Sequence, residues 1–254
     1  MPNCENGHDW APTGVFVEGN LHVQCKNPKC NAEMKQTWEP ITGPGMSIDG
    51  MELDIEDDPQ GTVAKTVCRG AAGKYDDLNL QPGDVVVDIG AHVGIISIYL
   101  AKRYPGIRVY AFEPTRANFQ RLMRNIEANN VLVNVARLAV TSDGRLTAVG
   151  GNASMNSGGY SIYQDATEPG GYSTTLANIM EREQIDHIAL LKIDCEGAEY
   201  EILNADPSLL DRVTYLRGEF HLNEQRGWDP EALVNMCAKH IKPENIKLDV
   251  SRAG

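Results

Sequence analysis

Residues Val85–Gly94 read VVVDIGAHVG, and this stretch decides the fold class. Val85–Ile89 is an apolar run of the kind expected for a parallel strand covered on both faces. A glycine turn follows it, and Ile95–Arg103 then reads as a helix that is apolar almost all round. Such a strand–turn–helix unit presents backbone N–H groups and a helix N-terminus to a ligand. The dinucleotide fingerprint G-x-G-x-x-G would need Gly at position 92 and a small residue at 95, where this chain has His92 and Ile95. No Gly-Lys-Ser/Thr follows, which excludes a P-loop. The loop alone points to a nucleotide-like ligand on an α/β sheet.

Outward from it the pattern stays regular. Arg108–Phe112 reads as the next strand, ending at Glu113-Pro114. Ala117–Asn129 has Phe119, Leu122, Met123 and Ile126 at helical spacing, and Pro114 ahead with Asn129-Asn130 behind punctuates it. Further strands are expected at Val131–Val140, Ile188–Asp194, Val213–Phe220 and Ile246–Val250. Helices are expected at Thr174–Arg182, at Glu199–Leu203, and from Asp229-Pro230 to about His240. This alternation implies an α/β fold with a mostly parallel sheet and helices on both faces. Residues 63–80 are ambiguous, with a helix leading to Tyr75. Ser142–Gly171 carries seven glycines and no clean periodicity beyond Arg145–Val149, as functional loops often do.

Two carboxylate positions stand out. Glu113 follows Gly90 by 23 residues at a strand end, where an acidic side chain can accept hydrogen bonds from both ribose hydroxyls. Leu190–Glu199 reads LLKIDCEGAE, an apolar strand delivering three carboxylates to the sheet edge where ligands of open α/β sheets bind. Of these, Asp194 ends the strand and is the functional candidate, while Glu196 and Glu199 read as a solvated acidic loop.

The first 62 residues differ in character. Cys4, His8, Cys25 and Cys30 flank a β-hairpin reading at Phe16–Gln24, and soft thiolates with an imidazole suit a tetrahedral structural zinc site. His22 competes with His8 as the fourth ligand. So short a segment buries little apolar surface, and a metal would supply what its core lacks. The sequence thus divides into a zinc ribbon-like unit at 1–38, an acidic Pro/Gly linker at 39–62 with a short strand at Met51–Ile55, and the α/β domain at 63–254. Cys68, Cys195 and Cys237 show no spacing pattern and read as small buried hydrophobes.

The 254 residues are 42% hydrophobic and 23% charged, ordinary for a globular protein, with a formal net charge of −12. That acidic excess argues against a nucleic acid partner, because such partners call for a concentration of Lys and Arg. Arg116, Arg121 and Arg124 fall on the polar side of one helix and read as a solvated face. No run approaches the roughly 20 apolar residues of a membrane span. The first residues, MPNCENGHDW, have neither the basic start nor the apolar core of a signal peptide, so a cytoplasmic location is expected.

VVVDIGAHVG, then YAFEPTRANFQRLMRNIEANN, then STTLANI and LLKIDCEGAEYEIL closely resemble the FkbM-type methyltransferases over roughly residues 80–222. The resemblance implies an S-adenosylmethionine-dependent O-methyltransferase on a Rossmann-like class I sheet. It places Asp88, Gly90, Ala91 and Gly94 on the methionine side of the cofactor, Glu113 on the ribose and Ala139-Val140 near the adenine. His92 replaces the usual Asn. The C-terminal part is short for a fold that ends in an antiparallel pair, so a strand is missing or is donated by residues 39–62.

A hydroxyl acceptor must lose its proton as it attacks, which calls for a general base or a metal. His221 follows Glu219-Phe220 at the same sheet edge as Asp194, and an imidazole suits a base near neutral pH. Asp194, Glu219 and His221 could instead bind a divalent ion. The expected acceptor is a hydroxyl of a sugar, glycan or small metabolite, and the N-terminal unit could recruit a protein partner. A non-catalytic cofactor-binding adaptor and a nicotinamide-dependent oxidoreductase are the rival readings.

Overall fold

The computed structural model describes residues 10–17, 20–25, 33–37, 46–48, 50–55, 73–150, 161–163 and 171–252. In chain order the strands begin with β1 (Trp10–Val17), β2 (Asn20–Cys25), β3 (Glu33–Thr37), β4 (Met46–Ile48) and β5 (Met51–Leu53). Then come β6 (Val85–Ile89), α1 (Ile95–Arg103), β7 (Arg108–Phe112), α2 (Arg116–Ala128), β8 (Asn134–Ala136) and β9 (Ala139–Val140). The chain continues through β10 (Ser173–Thr174), α3 (Leu176–Arg182), β11 (Ile188–Ile193), α4 (Glu199–Ala205), β12 (Val213–Leu222), α5 (Pro230–Cys237) and β13 (Ile246–Arg252).

The main sheet runs β13-β12-β11-β6-β7-β8-β1-β2-β3. Its stretch from β13 to β8 is parallel throughout. Alternation along each strand explains the two layers, since successive side chains point to opposite faces. Val86, Val109, Val135 and Leu190 pack on one face with Ile98 of α1 and Phe119, Leu122 and Met123 of α2. Val85, Val87, Ile89, Leu191 and Ile193 pack on the other with Ile179 of α3, Ile202 of α4 and Leu233 and Cys237 of α5. Both central strands, β6 and β11, are buried along their whole length. Among the described residues no helix is long and apolar enough to cross a membrane.

Several expectations change. The Phe16–Gln24 hairpin forms, with Val17 paired to Asn20, but β1 also pairs antiparallel with β8, so the hairpin continues the central sheet. Among the described residues of 39–62 no strand joins that sheet, because β4 and β5 pair with each other. That hairpin is instead fastened to α2, where Asn129 bonds both backbone groups of Glu52 and Asn125 Oδ1 accepts from Asp54 N at 2.6 Å. Arg124, expected on a solvated face, reaches Asp54 Oδ2 at 2.6 Å. The C-terminal edge, among the described residues, ends on parallel β13 with no antiparallel pair. Finally, Val131–Val140 is not one strand: after Ala136 the chain leaves β7, and β9 pairs with β10.

Candidate active site

The loop after β6 is held on three sides. Gly90 N and Ala91 N both donate to Phe112 O at 3.0 Å, and Gly94 N donates to Ala91 O at 2.9 Å. Gly90 has φ 77°, and a Cβ there would lie 1.8 Å from the Asp194 carbonyl oxygen, so only glycine lets the loop meet the end of β11. His92 adopts φ 53°, a left-handed conformation that side chains rarely take, and its N–H donates to Glu113 Oε2 at 2.9 Å. The non-glycine residue in the loop is thus held by the very carboxylate expected to meet the ribose.

Glu113 is buried, and its other oxygen accepts from Thr115 N at 2.9 Å. Burial pushes its carboxyl above the ordinary value, against the pull of these backbone donors. Glu113 N donates to Ala136 O, which fixes the end of β7 beside β8 and leads directly to buried Ala139 and Val140. Asp88, Gly90, Ala91, His92, Gly94, Glu113, Ala139 and Val140 are therefore brought to one sheet edge.

Beneath that edge lies an ion pair that the sequence reading left out. β11 and β6 pair in the register Lys192↔Asp88, and the Lys192 ammonium sits 3.0 Å from Asp88 Oδ1. Lys192 Nζ also donates to Gly90 O at 2.6 Å, while Ser97 Oγ donates to Asp88 Oδ2 at 2.6 Å. Burial opposes the charge on Lys192, yet Asp88 and Asp194 hold its ammonium above the usual value. The signal was present in the LKID run: a lysine inside an otherwise apolar buried strand requires a partner charge.

On the other side of Asp194 the carboxylates are not solvated. Glu199, the first residue of α4, is fully buried, and its Oε1 bonds His221 Nδ1. His221 Nε2 faces Glu196 Oε2 at 3.3 Å. Burial disfavours the imidazolium, but Glu199, Glu196 and Asp194 outweigh it and raise His221 to about 9. Burial raises Glu196 to about 7, His221 working against the rise and Asp194, Glu199 and Glu219 with it. Burial likewise pushes Asp194 upward. The expected divalent site of Asp194, Glu219 and His221 is not assembled. Both ring nitrogens of His221 are turned to glutamates, and among the described residues no group of three or more His, Cys, Asp or Glu could hold a metal ion.

Glu196 adopts φ 53° and is followed by Gly197 at φ 103°. A Cβ on Gly197 would lie 2.0 Å from the Trp228 ring, so the indole closes directly over the turn. Tyr200 stacks on Trp228 at 5.5 Å, Tyr163 meets it edge-on at 5.0 Å, and the Arg226 guanidinium covers both Tyr163 and Trp228. Ser161 Oγ donates to Glu196 O at 2.7 Å. Part of the glycine-rich segment thereby touches the site, which periodicity gave no means to foresee.

Of the proposed zinc ligands, Cys4, His8 and Cys30 lie outside the described residues, and Cys25 closes β2 opposite Trp10.

The chain matches the FkbM methyltransferase domain family over residues 88–245 and belongs to that family. It is 27% identical over 162 residues to methyltransferase sdnD of Sordaria araneosa, covering 51% of this chain and 62% of that protein. It is 28% identical over 160 residues to 31-O-demethyl-FK506 methyltransferase FkbM of Streptomyces tacrolimicus, covering 50% of this chain and 60% of that one. Similarity of 29% over 222 residues extends to the AMB antimetabolite synthetase AmbE of Pseudomonas aeruginosa, covering 70% of this chain and 10% of the synthetase. The matched region thus spans about three-fifths of the first two relatives and a small part of the third. The chain thus carries an FkbM methyltransferase domain on a mostly parallel α/β sheet.

Proposed function

We propose that this methyltransferase moves a methyl group from S-adenosylmethionine to a hydroxyl of a sugar, glycan or small metabolite. One observation carries the reading: a single sheet edge holds the Gly90–Gly94 loop, buried Glu113 and the carboxylate-rich ends of β11 and β12. The donor set suits the cofactor. Glu113 retains lone pairs for ribose hydroxyls after accepting two N–H groups. Asp194 and Glu219 complement a positive sulfur electrostatically. Asp88 and Lys192 fix the loop around Gly90, and Ala139 and Val140 offer an apolar floor for a base. When bound, the cofactor supplies an electrophilic methyl group.

The remaining work falls to the chain's own side chains: orienting the hydroxyl and accepting its proton. A hydroxyl acceptor is favoured because the site is rich in carboxylates, of which burial raises Glu196 to about 7, and because one relative's name describes an O-demethyl substrate. Methyl transfer from tritiated S-adenosylmethionine into fractionated host extract tests the reading; label should enter a hydroxyl-bearing fraction. Cofactor binding without transfer to any fraction would favour the adaptor, and NAD binding in place of S-adenosylmethionine would favour the oxidoreductase.

For the N-terminal strands we propose a structural zinc held by Cys4, Cys25, Cys30 and either His8 or His22. The Cys/His spacing and the position of Cys25 at the open end of the β1–β2 hairpin support it. Elemental analysis should find one zinc per chain, lost in Cys25→Ser; a metal-free wild type would refute the site.

A further inference from the structure

Glu199, His221 and Glu196 form a chain of contacts that runs from the core to the surface of the site. The Glu199 side chain has 0% exposure, His221 has 3% and Glu196 has 18%. A general base must touch the proton it removes. His221 cannot do so: its ring is buried, Nδ1 is bonded to Glu199 and Nε2 faces Glu196. Glu196 is the open end of this chain. It sits on a left-handed turn that the Trp228 ring and the Ser161 hydroxyl hold in place. A non-glycine residue kept in a left-handed conformation stores strain that persists only where its surroundings enforce it. Here the enforced conformation carries a carboxylate beside the end of β11.

We propose that Glu196 takes the proton of the acceptor hydroxyl, with His221 as a positioning residue held by Glu199. The assignment rests on the methyl-transfer reading above. As the acceptor oxygen bonds to the methyl carbon, the carbon–sulfur bond breaks and its electron pair stays on sulfur. The hydroxyl proton passes to a Glu196 carboxylate oxygen and leaves to solvent from there. His221, protonated at neutral pH, orients that carboxylate and offsets the negative field of its neighbours. The charged groups around Glu196 are Asp194 at the end of β11, Glu199 on α4, and Glu219 and His221 on β12. Three push its proton affinity up and His221 alone among them pulls it down. The net result, about 7, suits a base working at neutral pH.

Three measurements on the full chain test this. Calorimetry with S-adenosylhomocysteine should give an affinity for Glu196→Gln within about threefold of wild type. Carbon-13 NMR of glutamate-labelled protein should show one side-chain carboxyl titrating near pH 7, absent in Glu196→Gln and moved upward in His221→Asn. With the acceptor fraction found by methyl labelling, wild-type kcat/KM should rise to a plateau above about pH 7. Glu196→Gln should lose on the order of 10²–10⁴ in rate together with that rising limb, while His221→Asn should keep the limb and shift it upward.

A limb near pH 9 that vanishes in His221→Asn would overturn the assignment, as would a Glu196→Gln enzyme that keeps its rate or a limb removed by Asp194→Asn alone. If wild type fails to bind S-adenosylhomocysteine, or no fraction takes up label, the methyl-transfer reading fails and the assignment with it. If both succeed and Glu196→Gln stays active, only the assignment falls.

Discussion

Two buried charge clusters flank the end of β11, and they are built for opposite purposes. On one side Asp88 and Lys192 face each other across paired strands, one negative and one positive, with backbone and Ser97 supplying further bonds. That pair is closed: neither residue has an exposed end. On the other side one histidine lies between two glutamates, and the outer glutamate reaches the surface of the site. In this balanced, sealed pair Asp88 helps to hold the Lys192 ammonium above its usual value. An unbalanced, open chain puts a proton-exchanging group where a substrate can meet it. The difference sets a sealed pair beside the partly exposed carboxylate proposed above as the base.

The largest expected effect lies where the two clusters meet. Gly90→Ala would drive a Cβ to 1.8 Å from the Asp194 carbonyl, and backbone cannot yield there without moving β11. We expect about 5 kcal/mol of lost stability or failure to fold, read by urea denaturation and by soluble yield. Next comes the closed pair. Lys192→Met keeps volume but leaves the Asp88 carboxylate buried beside apolar groups, a loss of about 3–5 kcal/mol. Asp88→Asn leaves the buried Lys192 ammonium without its counter-charge and should cost a comparable amount; a large loss in only one of the two variants would show that the pair is not the source.

The open chain should reveal itself through pH. His221 is raised from 6.5 to about 9 in the folded protein, so its stabilising contribution is complete below pH 6.5 and is lost as pH rises toward 9. Wild type should therefore lose on the order of 2 kcal/mol between pH 6.5 and 9, and His221→Asn should lack that step in chemical denaturation. A flat wild-type profile would show that the imidazole is not held by its glutamates. The smallest effect belongs to Asp229, whose carboxylate caps α5 by accepting from Glu231 N and Ala232 N at 3.0 and 3.2 Å. Asp229→Ala should cost about 1 kcal/mol and loosen Trp228 over Gly197, seen as a change in indole fluorescence.

Local signals were legible wherever one segment carried the whole message. The apolar run at β6, the glycine turn after it, the 3.6-residue pattern of α2 and the Asp229-Pro230 helix start all appear where sequence spacing put them. Glu113 was legible for the same reason, because strand length alone carries it to the sheet edge. The role of the acidic loop was not. Glu196 and Glu199 are three residues apart among other polar groups, and on sequence grounds they resembled any solvated turn. Only the packing of β12 against β11 brings His221 between them, across more than 20 residues of chain. Strand splitting after Ala136 and the placement of Glu52 and Asp54 on α2 were hidden likewise, since both depend on which distant backbone groups are left to pair.

The amino-acid pattern was enough to indicate an α/β sheet, a glycine turn at the end of β6 and, through family resemblance, the FkbM methyltransferase family. Periodicity and turn chemistry act over a few residues, so one linear stretch suffices to express them. Which carboxylate is sealed, which is shared with an imidazole and which stays partly exposed were decided by tertiary structure. Proton affinity depends on burial and on charges a few ångströms away, and those distances come into being only when β6, β11 and β12 lie side by side.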